Sequence, residues 1–250
     1  MITDIIRNFI KEIYPEVRAK EVRIGLGYTG VLLEDGNAGV AYTFKQGLIE
    51  GCSVFCGDRP LAGKSSHELL DYIGSTRPIE AAVGIAAANA LVNRLRGVGN
   101  EGDVLNILKI KKTDRIGMVG FFGPLVSLLK EMAQELLIFE QTTSLAEGLF
   151  PAEKAFDLLP SCDIAFITST TLINGTLDSI LNVSLNCREV VLLGASTILL
   201  PEVFKPFGIT LLSGIIITDP TGILQIISEG GGMRFFKPYI KKLNIRVGLR

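Results

Sequence analysis

The second half of the chain alternates short apolar runs with helical or turn stretches, and this pattern constrains the fold more than any other feature. The runs are Ile116–Val119, Leu136–Phe139, Ile164–Thr168, Val190–Leu193 and Gly214–Thr218. Strands that alternate with helices imply right-handed crossovers and a mostly parallel sheet covered on both faces. The pattern therefore predicts an α/β, Rossmann-like domain.

The first half reads differently, as an α+β domain. After an amphipathic first helix, three apolar runs are separated by Gly-rich or Asp-Gly-Asn breaks, and residues 35–37 form a strong hairpin signal. These runs predict an antiparallel meander. Ser65 to Glu68 read as a helix cap, and Arg77-Pro78 opens a second helix. Turn-rich sequence then places the domain boundary between residues 1–108 and 109–250.

Composition narrows the classes of partner. The 25 basic and 26 acidic side chains nearly cancel, so the positive excess typical of nucleic-acid binding is missing. No run of about eighteen apolar residues is present, and charges interrupt the N-terminal apolar stretch, so we expect a cytoplasmic protein without a membrane partner. The basic C-terminal segment, broken by Pro238, predicts a terminal helix docked on the domain. The sequence leaves open whether the protein forms a homo-oligomer.

A hydroxyl-rich turn follows the run Ile164–Thr168 and predicts a binding site. It contains Thr168, Thr170 and Thr171, and then Asn174 and Thr176. Hydroxyls at the start of a following helix would leave N–H groups free to hold a carboxylate or phosphate, whereas ordinary helix capping is the simpler explanation. We expect these residues to bind an anionic or polar small molecule.

The segment VGFFGP supplies a second turn after a buried strand. Gly120 and Gly123 allow close approach of the backbone to a ligand, and Phe122 lies between them. The segment is not the G-x-G-x-x-G of dinucleotide sites, and the acidic residue expected about twenty positions later is present only as Glu140. A cofactor- or nucleotide-dependent enzyme remains the alternative function.

Two further turns should meet the first two at the carboxyl ends of the parallel strands. Gly194 and Ser196 follow one strand, and Asp219 follows another. Ligands bind at this edge of an open α/β sheet, so convergence is the main argument for a site. Asp219 and Glu140 are candidate general bases or cation ligands, although a helix cap is the simpler role for Asp219.

The first domain contributes candidates for the other wall of an interdomain cleft. Tyr28 and Thr29 follow a glycine at a strand break, and Asn89 interrupts an apolar helix face. A buried Asn must find partners, which a neighbouring loop could equally supply. Tyr28 is a further candidate for proton transfer, with a packed aromatic as the simpler alternative.

Few residues of the sequence form a pattern that could ligate a metal ion. Cys52 and Cys56 could bring two sulfurs together, but a closed zinc site needs four ligands and the single histidine is His67. Buried, reduced thiols are the expected state of the four cysteines.

An ordered set of motifs then suggests a family. ANAL at 88–91, VGFFGP at 119–124, ITSTTLINGTL at 167–177, LLGAST at 192–197 and SGIIITDP at 213–220 occur together. In this set the chain resembles the bacterial and archaeal family described as "putative heavy-metal chelation" proteins. The resemblance implies an enolase N-terminal-like domain followed by a Rossmann-like domain, with a site in the cleft between them. It implies binding of a small anionic or metal-linked ligand there, with a metal ion or metal chelate as the candidate cofactor and the enzyme question open.

Overall fold

The computed structural model describes residues 1–44, 54–93, 98–141 and 148–248, which form two sheets and their covering helices. The strands are β1 (Ala19–Ile24), β2 (Tyr28–Leu33), β3 (Ala38–Tyr42), β4 (Asn100–Glu101), β5 (Arg115–Val119), β6 (Glu135–Glu140), β7 (Leu149–Pro151), β8 (Ile164–Thr168), β9 (Glu189–Leu193), β10 (Leu211–Ile217) and β11 (Ile240–Arg246). The helices are α1 (Ile2–Ile13), α2 (Ser66–Leu70), α3 (Pro78–Val92), α4 (Gly123–Met132), α5 (Ala155–Leu158), α6 (Leu177–Val183), α7 (Pro201–Phe204), α8 (Pro220–Ser228) and α9 (Met233–Phe236).

The small sheet is the predicted antiparallel meander, in the order β1-β2-β3. Its second turn contains Gly36 at φ 86°, a left-handed conformation that glycine adopts without steric cost. Helix α2 begins with a capping box, in which Ser65 Oγ accepts from Glu68 N while Glu68 Oε2 accepts from Ser65 N. Helix α3 begins at Pro78 and is buried along almost its whole length against the meander.

The large sheet has eight strands in the order β4-β11-β10-β9-β8-β5-β6-β7, and β5 to β10 run parallel. From β5 the chain builds outward through β6 and β7, and it then returns to add β8, β9 and β10 on the other side. The strand order therefore reverses between β5 and β8. In open α/β sheets a crevice forms at such a reversal, outside the carboxyl ends of the strands.

The C-terminal segment is α-helical only over the short α9 and continues after Pro238 as strand β11, so the predicted terminal helix is wrong. Strand β11 pairs antiparallel with β10 over seven residues and buries Leu243, Asn244 and Ile245. It closes an edge of β10 that would otherwise expose unpaired backbone groups. Arg246 also reaches Glu189 on β9, with Nη1 at 2.9 and 2.7 Å from the two carboxylate oxygens.

The two sheets share buried contacts. One cluster of buried side chains contains Ile6 of α1, Leu91 of α3, Leu192 of β9 and Phe204 of α7. The short strand β4 precedes residue 108 and pairs with β11, while the boundary at 108/109 stays a prediction. Within the described ranges, no helix combines the length and apolarity needed to cross a membrane.

Candidate functional site

A cavity of about 420 Å³ lies where the strand order reverses. Its walls come from the carboxyl ends of β5, β6 and β8, from the turns that follow them, and from the end of β3 in the small sheet. The lining residues are Tyr42, Phe44, Val119, Gly120, Phe121, Phe122, Phe139, Glu140, Gln141, Ala152, Glu153, Phe156, Thr168, Thr170, Thr171, Asn174, Thr176 and Ile180. A cavity of this volume falls in the range of small-molecule sites, about 300–1,000 Å³.

The hydroxyl-rich turn forms one wall of this cavity, but most of its hydroxyl protons are already used. Thr171 Oγ1 donates to the Thr168 carbonyl at 2.7 Å, and Thr176 Oγ1 donates to Asn174 Oδ1 at 2.7 Å. Thr168 Oγ1 and Thr170 Oγ1 share one hydrogen bond at 3.0 Å. These hydroxyls therefore present mainly oxygen lone pairs, which accept hydrogen bonds or ligate cations, and Asn174 Nδ2 adds amide donors to the same wall.

Helix geometry explains why two backbone N–H groups of this turn are not free. A 3₁₀ turn over Ser169–Leu172 follows β8, and α6 begins only at Leu177. The N–H groups of Asn174 and Thr176 donate to the carbonyls of Thr170 and Thr171. They are thus occupied within the turn, where the sequence predicted donors free for a ligand.

The turn after β5 is also partly occupied, by a carboxylate of the protein. Gly120 lies at φ 90°, and the following Phe121 N donates to Glu140 Oε2 at 2.8 Å. Glu140 Oε1 accepts from Gln141 N, also at 2.8 Å. Two charge-assisted bonds hold the side chain of Glu140 in place at the end of β6. Its negative charge repels a phosphate that approaches this turn.

The electrostatic character of the lining is acidic. Glu140 and Glu153 line the cavity, whereas no Lys, Arg or His of the described ranges does so. The two carboxylates therefore face the cavity without a neutralising basic side chain in the described lining. Such a wall attracts cations and repels carboxylates and phosphates.

Two family models match the chain, and both are described as "Putative heavy-metal chelation". One matches residues 103–246 and the other residues 6–92. The chain belongs to this family. A relative named only as an uncharacterised protein, from Methanocaldococcus jannaschii, is 29% identical over 248 residues, covering 96% of this chain and 94% of the relative.

Solved structures of the family share the fold. A protein of unknown function from the DUF364 family of Pyrococcus horikoshii superposes with a TM-score of 0.87 at 25% identity, over 98% of this chain and 100% of that chain. A second DUF364 protein of unknown function, from Desulfitobacterium hafniense DCB-2, gives 0.79 at 26% identity over 98% and 96%. The predicted fold class and the family resemblance are thereby confirmed.

The candidates from the first half of this family member do not line the cavity. Asn89 Nδ2 donates to the Val40 carbonyl at 2.9 Å, and Thr29 Oγ1 bonds Thr43 Oγ1 at 2.9 Å. Tyr28 packs edge-on against Tyr42, at 5.7 Å between ring centroids. Burial, with a smaller effect of Tyr42, raises the pKa of the Tyr28 phenol to about 12. Tyr28 is therefore protonated at neutral pH.

Four candidates of the second half also lie outside the lining, namely Gly123, Gly194, Ser196 and Asp219. Ser196 is buried, and its Oγ accepts from Tyr42 N at 2.9 Å, which ties the turn after β9 to the end of β3. Gly194, at φ 125°, packs so closely on Ser169 that an added Cβ would lie 2.8 Å from its hydroxyl. Asp219 caps α8 through a bond from Gly222 N at 3.1 Å.

Gly123 is the first residue of α4 and is exposed beside the cavity. The sequence candidates brought together in the lining are Gly120, Phe122, Glu140, Thr168, Thr170, Thr171, Asn174 and Thr176. Their roles in binding remain predictions.

The described residues around the thiol candidates form no metal centre. Cys52 lies outside the described residues. Cys56 is a free thiol that is exposed, so its expected burial is wrong, and it does not line the cavity. His67 Nε2 lies 3.0 Å from the Tyr14 carbonyl. Across the described ranges, no group of three or more His, Cys, Asp or Glu side chains could hold a metal ion. Burial raises the pKa of the Cys162 thiol to about 11, so this cysteine stays protonated.

Sequence reasoning missed several residues of the lining. Tyr42 and Phe44 come from the end of β3, and Glu153 and Phe156 come from the segment after β7. Phe121 lies in the motif VGFFGP, in which Gly120, Phe122 and Gly123 were the predicted binding residues. A strand end that carries two aromatics at alternate positions, as Tyr42 and Phe44 do, was the available signal.

Proposed function

We propose that this cavity binds a small metal-linked ligand, meaning a metal ion carried by an organic chelator. One observation carries the proposal: the lining is rich in hydrogen-bond acceptors and contains Glu140 and Glu153 with no described basic side chain. A complex with net positive charge, bearing N–H or metal-bound water donors, complements such a wall. The family description agrees with a metal-linked ligand.

The number of ligating side chains favours a chelated ion over a bare one. Structural zinc sites use four protein ligands and catalytic sites usually three. The described lining supplies two carboxylates, and both carboxylate oxygens of Glu140 already accept backbone hydrogen bonds. The remaining donor atoms must therefore come with the ion, and a volume of about 420 Å³ leaves room for them.

An anionic small molecule, the other ligand class expected from the sequence, is less well supported. Phe121 N already donates to Glu140, and the hydroxyls of Thr171 and Thr176 donate within their own turn. A dinucleotide would face the same carboxylate after β5, where its pyrophosphate needs free N–H groups. No observation on the cavity favours the alternative of a nucleotide-dependent enzyme.

The test is calorimetric titration of the protein with two zinc complexes of opposite charge. Zinc diethylenetriamine is a cation and zinc nitrilotriacetate is an anion. We expect saturable one-to-one binding of the cation and weaker binding of the anion. Glu153→Gln, at an exposed position, should weaken the cation about threefold to fivefold, as expected for about 0.7–1 kcal/mol of an exposed charge pair.

Glu12→Gln is the matched control, because Glu12 is an exposed carboxylate on α1 that does not line the cavity. The Glu12→Gln variant should bind the cationic complex with the same affinity as the unchanged protein. Tighter binding of the anionic complex, or equal affinities in Glu153→Gln and Glu12→Gln, would contradict the proposal.

A further inference from the structure

Aromatic rings are concentrated around the cavity. The chain contains 13 Phe, 5 Tyr and no Trp, and six of these eighteen rings line this one cavity. They are Tyr42, Phe44, Phe121, Phe122, Phe139 and Phe156. A third of the aromatic side chains of the chain therefore meet at this cavity.

Two of the rings are unusually exposed for phenylalanine. Phe121 is 54% exposed and Phe156 is 44% exposed, on segments that follow different strands. Among the described residues neither ring pairs with another aromatic, in contrast to Tyr42 and Phe44, which meet edge-on at 5.2 Å. Exposed apolar side chains that converge on one cavity mark a binding surface. About half of each side chain is therefore accessible to a ligand.

The acidic lining narrows the kind of ring that fits. The face of an aromatic ring carries partial negative charge, so it attracts a cation that lies over it. Glu140 and Glu153 add formal negative charge to the same cavity. The oxygens of Thr171 and Thr176 keep lone pairs free after donating their protons within the turn. Rings, carboxylates and acceptor oxygens all favour an electron-poor, positively charged guest.

We infer that the ligand carries a flat, electron-poor aromatic ring system with net positive charge, such as a metal-bound nitrogen heterocycle, and that it stacks on Phe121 and Phe156. This inference rests on the proposed function and names the chemistry of the chelator. A flat ring gains stacking and cation–π contact with both phenylalanines, whereas an aliphatic chelator of equal charge gains only the attraction to the carboxylates.

The test compares two chelators that present three nitrogen donors to the same metal. Zinc terpyridine is flat and aromatic, and zinc diethylenetriamine is aliphatic with the same charge. We expect the protein to bind the terpyridine complex at least about tenfold more tightly in calorimetric titration, the ratio that corresponds to about 1.4 kcal/mol of ring contact. Two flat metal-free probes of opposite charge extend the test, N-methylquinolinium and 2-naphthoate. We expect the cation, N-methylquinolinium, to bind more tightly.

Variants assign the preference to particular rings. Phe121→Leu and Phe156→Leu keep an apolar side chain at exposed positions, so the fold should survive. Each should lower the affinity for zinc terpyridine about threefold to tenfold and leave that for zinc diethylenetriamine unchanged. Phe235→Leu is the matched control, because Phe235 is 57% exposed and does not line the cavity.

The outcomes separate this inference from the proposed function. Equal affinities for the two zinc complexes would overturn the aromatic ligand and leave the metal-linked ligand standing. Binding of N-methylquinolinium without binding of either zinc complex would support the aromatic cation and overturn the metal. Tighter binding of 2-naphthoate than of N-methylquinolinium would overturn the charge assignment. Loss of zinc terpyridine binding in Phe235→Leu as large as in Phe121→Leu would overturn the assignment to this cavity.

Discussion

Substitution of Gly39 by alanine should destabilise the protein more than any ordinary Gly-to-Ala change. Gly39 lies in β3, where the strand passes directly over the backbone of α3. A Cβ at position 39 would lie 2.6 Å from the carbonyl carbon of Asn89 and closer still to Ala90 N and Ala86 O. All three are backbone atoms, so no side chain can rotate away.

The size of the effect follows from that geometry. Ordinary Cβ contacts begin at 3.4 Å, so a retreat of about 0.8 Å would relieve only the contact with Asn89, and the two closer backbone atoms require a larger displacement. Helix α3 is buried on nearly all sides, and a displacement would disturb its packing and the 2.9 Å bond from Asn89 Nδ2 to the Val40 carbonyl. Overpacking of a core costs about 1–3 kcal/mol and occasionally more. We expect a loss of about 3 kcal/mol in the free energy of unfolding.

Urea and thermal denaturation, followed by circular dichroism, measure this change. For a chain of this length about 3 kcal/mol corresponds to a fall of about 6–12 °C in Tm. Gly27→Ala is the matched control from the same meander, because its added Cβ would meet the Gly231 carbonyl at an ordinary 3.5 Å and the Gly230 carbonyl at 4.0 Å. The control should be neutral or up to about 1 kcal/mol more stable. If Gly39→Ala and Gly27→Ala unfold at the same urea concentration and the same temperature, the close approach of β3 and α3 is refuted.

Three further predictions concern charge and capping. The raised pKa of Tyr28 means that stability is complete below about pH 10 and is lost as the pH rises toward 12, because the unfolded phenol ionises first; Tyr28→Phe should remove this loss in alkaline denaturation. Asp219→Ala should cost about 1 kcal/mol as a lost helix cap and leave binding of zinc complexes unchanged, whereas a large loss of binding would indicate a ligand-contacting role. Burial raises the pKa of the Asp114 carboxyl, but hydrogen bonds from Arg188 and Lys111 N outweigh this effect and lower the pKa overall. The ionised carboxyl therefore stabilises the fold above its ordinary pKa near 4, and this stabilisation is lost on acidification. Arg188→Met should flatten the acid limb of the pH-dependent denaturation curve.

The site was only partly predictable from the chain. Because the carboxyl ends of parallel strands meet at one edge, the hydroxyls after β8 and the glycine turn after β5 could be placed together without coordinates. Whether these turns prefer an anion or a cation could not be predicted from the sequence. The preference depends on which acceptor each proton goes to: Thr171 and Thr176 donate within their own turn, while Glu140 accepts from Phe121 N. Such choices depend on distances of a few ångströms that no sequence pattern encodes.

Local rules determined much of this protein from the sequence. Apolar runs of strand length, the Asp35-Gly36-Asn37 turn and the Ser65 cap follow from backbone sterics and side-chain period, which neighbouring residues set. Long-range contacts decided the rest. Strand β11 formed where a helix was expected, because the edge of β10 needed a partner, and Phe156 reached the cavity from a segment without any local signal. Periodicity fixes which face of an element is apolar, but only the packed chain decides which distant surface meets it.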